Sequence, residues 1–115
     1  MPTVVAKYPV QNGQPVLLDV LIGDLQPGGS SVFVGEHNVI TQEGDIVDHM
    51  LGNGEDLRGK ALVVSTVVLD RNPSTDLTST VVLLDGGTHP HTDIPQSDNP
   101  GPNGTSSFLT VVRFV

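Results

Sequence analysis

With 115 residues, no cysteine and a formal charge of −8, the chain can build one domain with a real core, but no disulfide, thiolate metal site or cysteine nucleophile. Its five bases, Lys7, Arg58, Lys60, Arg71 and Arg113, are scattered among 13 acids, so nothing in the sequence lays out a cationic stripe for nucleic acid or an anionic membrane. Aromatic side chains are limited to Tyr8, Phe33, Phe108 and Phe114, which removes the stacking platforms that sugars and single-stranded nucleic acids use.

Along the chain, residues 3–10, 16–22, 31–34 and 38–41 are rich in Val, Ile, Leu, Thr or Phe and are separated by Gly, Pro, Asn and Gln, which predicts short strands joined by turns. Residues 45–52 break this pattern. Ile46, Val47, Met50 and Leu51 recur at helical spacing between a possible N-cap, Asp45, and a terminating Gly52, which predicts one or two helical turns, with a short strand as the competing reading. Two β-branched runs, 61–69 and 77–84, then flank the polar stretch 70–76, the signature of a β-hairpin. Residues 86–105, dense in Gly and Pro, read as a long irregular loop, and 107–115 as a final strand.

These elements predict an all-β fold: an antiparallel β-sandwich of immunoglobulin-like or jelly-roll type, with about seven or eight strands and one short helix, forming a single domain over 1–115. A small barrel is the alternative. The Cys, Trp and Cys marks of true immunoglobulin domains are missing. No run approaches the roughly 18 apolar residues that span a bilayer, and the first residues lack a signal peptide's basic start and apolar core. A soluble protein is the expectation, with its compartment open.

Several strands are apolar on both faces. In 61–69, Leu62, Val64 and Val68 point one way and Ala61, Val63, Val67 and Leu69 the other; 16–22 and 108–115 repeat the pattern. Such strands need a cover on the second face: packed loops, or another subunit.

Four groups of residues could carry chemistry. His89, His91 and Asp93 alternate, so an extended segment would present all three to one divalent metal, with His37, His49, Asp45 or Asp98 as a fourth ligand. A His-x-His pair is also one element of cupin barrels, but the following Glu and the second His-bearing strand are absent. Asp70, Asn72, Ser74 and Asp76 resemble the opening of a calcium loop, without its sixth-position Gly or distal Glu, and are equally the residues of an ordinary turn. Glu43, Asp45, Asp48, Glu55 and Asp56 form an acidic run that suits either a basic partner or plain solvation. No Gly-x-Ser-x-Gly elbow is present, Gly28-Gly29-Ser30-Ser31 precedes a strand rather than a helix, and no catalytic residue is assigned.

The reading that follows is a non-catalytic binding or assembly β-domain, homo-oligomeric or bound to a protein partner, with 86–105 as its contact loop and no cofactor. The alternatives are a small cupin-like metal-binding barrel using His89, His91 and Asp93, and an acidic inhibitor or immunity protein.

Overall fold

The computed structural model describes residues 2–88 and 91–115. Nine strands and one helical turn follow in chain order: β1 (Thr3–Tyr8), β2 (Pro15–Ile22), β3 (Gly28–Val34), β4 (His37–Glu43), β5 (Ile46–Asn53), α1 (Gly54–Leu57), β6 (Ala61–Leu69), β7 (Thr78–Asp85), β8 (His91–Asp98) and β9 (Thr105–Phe114). They form two sheets, β1-β9-β6-β3-β4 and β5-β2-β7-β8, which pack as a β-sandwich rather than closing into a barrel. All pairings are antiparallel except β1 with β9, which run parallel.

Alternation decides which residues meet between the sheets. Leu62, Val64, Thr66 and Val68 of β6 are buried, as are Val16, Leu18 and Val20 of β2 and Val82 and Leu84 of β7. Tyr8 and Phe114 close one end of this core edge to face, with ring centroids 6.4 Å apart. Elsewhere the interior turns polar and is held by hydroxyl pairs, Ser30 with Thr66 at 2.8 Å and Thr78 with Ser106 at 2.7 Å, and by the Gln96 amide donating to Thr110 at 2.8 Å. The hydroxyls are paired inside, so their burial costs little, while Gln96 Oε1 is buried without a hydrogen-bond partner among the described residues.

Three sequence expectations are corrected. The 58–86 segment is not a hairpin: β6 lies between β3 and β9 in one sheet, while β7 lies between β2 and β8 in the other. Both flanks of each strand are taken, so the connection crosses the sandwich. Residues 46–53 are a strand, not a helix, and the helical turn comes after it, at Gly54–Leu57. Asp48 stands in the left-handed region at φ 53° within an irregular β2–β5 register, its N–H held by the Asp19 carboxylate at 2.6 Å. An irregularity of this kind shifts the two-residue period and so imitates helical spacing.

Finally, 86–105 is not one loop, because its middle forms β8 along Thr78–Asp85. Pro95 is tolerated there because β8 is an edge strand, where a missing N–H breaks no inner ladder. Gly86, at φ 99°, starts the connection where any Cβ would strike the Pro15 carbonyl, and Gly87 donates its N–H to the Tyr8 hydroxyl at 2.8 Å. Burial raises the pKa of that tyrosine.

Leu18 is fully buried and Val5 is 69% exposed. Leu18→Ala is therefore expected to cost about 2–5 kcal/mol in urea unfolding, and Val5→Ala within about 0.5 kcal/mol of nothing. The Glu55 carboxylate accepts the Gly13 N–H, tying α1 to the turn before β2, and this bond holds its pKa below the ordinary carboxylate value. A depressed acid stabilises the fold above its unfolded pKa and loses that contribution as pH falls through the folded one. Glu55→Gln should thus melt earlier than wild type at pH 7, with the two melting temperatures converging as pH falls through the lowered pKa of Glu55.

Candidate functional site

The outward faces of the two sheets differ in character. On the five-stranded sheet, register places Val5, Val111, Val63 and Phe33 in one row from β1 to β3, ending at Asn38 of β4. The next rows add Leu109, Val67 and Leu69. This is the second apolar face foreseen in 61–69 and 108–115. Neither α1, which packs beside β5, nor any described loop covers it, and Val5 and Val67 are 69% and 41% exposed.

A shallow groove of about 590 Å3 opens on this face toward its β4 side. Its floor is Gly29, Ser31 and Ser65, and its walls are Val67 and Leu69 against Thr41 and Glu43. The groove exists because Gly29 has no side chain; a Cβ there would stand 3.0 Å from the Gln42 carbonyl oxygen. Beside it the β2–β3 turn puts Asp24 and Leu25 at φ 59° and 54°, and Leu25 is 91% exposed. A leucine held in the left-handed region and fully presented to solvent is uncommon. At the far end of the face, Lys7 and Arg113 are register partners, and among the described residues neither has an ion-pair partner. The bases that look scattered in sequence are in part gathered by this parallel pairing.

The outer face of β5-β2-β7-β8 mixes acids with apolar residues, Leu17, Leu21, Val81 and Leu83 among them. Asp19, Asp48 and Asp85 surround a hollow of about 250 Å3 with Leu17, Leu83 and His91, and Asp93 stands in the same row as Asp19 and Leu83. His91 and Asp93 share the outward side of β8, as the two-residue spacing requires, with Nε2 and Oδ1 3.7 Å apart and both side chains more than half exposed. His89 lies outside the described residues. Among the described residues no three His, Asp or Glu side chains gather in metal-binding geometry. Asp45 is occupied in accepting the Ile22 N–H at 2.8 Å, and Asp98 accepts the Ser106 hydroxyl at 2.9 Å. The acidic run is likewise divided: Glu43 sits on β4, Asp48 on β5 in the other sheet, and Glu55 on α1.

The stretch from Asp70 to Leu77 carries the chain from one sheet to the other, and the buried Gln26 side chain organises it. Gln26 Oε1 accepts the N–H groups of Arg71 and Asn72, both at 2.7 Å, and Nε2 donates toward Asp70 Oδ1, Thr75 O and Leu77 O at 3.1, 3.3 and 3.1 Å. Asn72 and Ser74 use each other for a local turn, with Ser74 N–H to Asn72 Oδ1 at 3.0 Å. Asp70 and Asp76, in contrast, come together. Asp70 is 2% exposed, and the Asp76 carboxyl is raised above its ordinary value by hydrogen bonding to Asp70, then by desolvation and by the Asp70 charge.

Sequence reasoning missed Gln26, because a single glutamine in a turn carries no pattern. It also missed the groove, although Gly28-Gly29 within a strand is a recognisable sign of close backbone approach. Comparison with protein-family models, curated proteins and solved structures found no match. Gln26→Ala removes one acceptor and one donor group that serve five partners, and is expected to cost about 2–4 kcal/mol and to speed protease cleavage within 70–77.

Proposed function

We propose that this chain is a non-catalytic assembly module that binds a second copy of itself through the outer face of β1-β9-β6-β3-β4. The observation that carries the reading is the uncovered row Val5, Val111, Val63 and Phe33. Apolar patches of several hundred Å2 on a folded surface mark contact sites. Five strands about 4.8 Å apart, averaging about eight residues of about 3.3 Å rise, give a plan area of roughly 600 Å2, against the ~800 Å2 per partner of a standard interface.

Charge favours a copy of this chain as the occupant. The face ends in Lys7 and Arg113, cations without an ion-pair partner among the described residues, and the chain carries acids, Asp19, Asp85 and Asp93, on its opposite face. A contact joining unlike faces is heterologous and propagates to a ring or a filament. Leu25, exposed on the turn that leads into β3, adds apolar surface. In this reading the contact element is the sheet face, with 86–105 contributing its strand β8 to the acidic side.

Val111→Glu places a charge in the middle of the apolar row without touching the core. Light scattering after size exclusion should give a multiple of the monomer mass for wild type and the monomer for Val111→Glu, with unchanged melting temperature. Raising salt from about 0.05 to 0.5 M should weaken the assembly through the Lys7 and Arg113 contribution. A wild type that stays monomeric at about 0.5 mM would refute self-assembly.

A further inference from the structure

The two outer faces of the sandwich carry side chains in the same order along the strands. Both can be followed from the end marked by Tyr8. On the five-stranded sheet Lys7 and Arg113 stand one residue before Tyr8 and Phe114. On the other sheet Asp85 stands two residues before Gly87, which bridges to Val10 and donates its N–H to the Tyr8 hydroxyl at 2.8 Å. From this end, the first face presents the row of Lys7 and Arg113, then the apolar row from Val5 to Phe33, then Leu109 with Ser65 and Ser31. The second face presents Leu17, Asp85 and His91, then Asp19, Leu83 and Asp93. Leu21, Val81 and Pro95 follow, and after them Ser79 and Ser97. Each face thus runs from charge through apolar surface to hydroxyls, with opposite signs at the charged end. The lateral positions agree too, because β1 and β9 lie against β8 and β7 within one copy.

We propose, resting on the self-assembly reading, that copies stack in the same direction, the β1-β9-β6-β3-β4 face of one on the β5-β2-β7-β8 face of the next, as an open filament. A shift along the sheet normal then sets Lys7 and Arg113 over Asp85, Asp93 and Asp19, and lays apolar row on apolar row. A reversed copy would set the two cations over Ser79 and Ser97, where the acid on offer is Asp24, which already accepts the Ser79 hydroxyl at 2.6 Å. Two layers per copy at about 10 Å spacing give a rise of about 20 Å, in agreement with the smallest dimension of the domain, 21 Å. Aligned sheets turn by about 30° about that normal, so the contact propagates without closing.

The test uses two exposed charge reversals, Arg113→Glu on the first face and Asp93→Arg on the second, read by sedimentation velocity and electron microscopy. Wild type is expected to form filaments with a repeat of about 20 Å. Each single reversal should weaken association about tenfold or more, and the two together in one chain should restore it, which a folding defect could not do. Direction is read by cross-linking with a short bifunctional thiol reagent, since the chain has no cysteine of its own. Lys7→Cys combined with His91→Cys should give a ladder of linked copies, and Lys7→Cys combined with Ser97→Cys should not. If wild type assembles but the double reversal stays apart, if linkage runs through position 97 instead of 91, or if closed rings form, same-direction stacking is overturned and self-assembly stands. A wild type that remains monomeric overturns both.

Discussion

The sandwich depends on how the chain gets from one sheet to the other between Leu69 and Thr78, and that crossing depends on one amide. Gln26 lies at the end of the β2–β3 turn, 6% exposed, and reaches residues 44 to 51 positions further along the chain. Its oxygen takes two successive N–H groups and its nitrogen serves a carboxylate and two carbonyls, so one side chain satisfies four backbone groups of an eight-residue connection, the others turning to local partners and Gly104. Pairing with β3 and β9 on one side and with β2 and β8 on the other makes β6 and β7 inner strands of opposite sheets, and Gln26 fixes the path of the chain between them.

From that separation the surface character follows. β6 is flanked by β3 and β9, so both its edges are closed and its two faces are left to choose between core and outside. Leu62, Val64 and Val68 go inward, and Val63 and Val67 must then project outward, because the two-residue period allows nothing else. The same constraint turns Val111 and Leu109 of β9 and Phe33 of β3 outward in register with them. The uncovered apolar row is thus a geometric consequence of strands that are apolar on both sides in a two-layer fold.

Much of this was legible in the residues. The strand-rich pattern, the sandwich class, and the need to account for a second apolar face all follow from composition and alternation, and the structure shows each of them. What stayed hidden shares a physical cause: local patterns cannot report non-local partners. The runs on either side of Asp70 look like a hairpin because nothing local encodes β3, β9, β2 and β8 as their neighbours. The spacing of Ile46, Val47, Met50 and Leu51 looks helical because Asp48 distorts the strand through a hydrogen bond from its own N–H to Asp19. A strand containing Pro95 looks like loop because only its edge position makes the proline harmless. At the candidate site, the alternation of His91 and Asp93 was readable, whereas the meeting of Lys7 with Arg113 and of Asp70 with Asp76 required the fold.

The parallel pairing of β1 with β9 has an electrical consequence. It sets Lys7 beside Arg113 on one outer face, while Asp19, Asp85 and Asp93 occupy the other. Stacked sheets are separated by about 10 Å, and charge in physiological salt is felt over about 8 Å. A molecule approaching one face therefore senses that face more than the total charge of −8. The two faces therefore present different local charge to an approaching molecule, and a second copy binding as proposed would be oriented by it before any apolar contact forms.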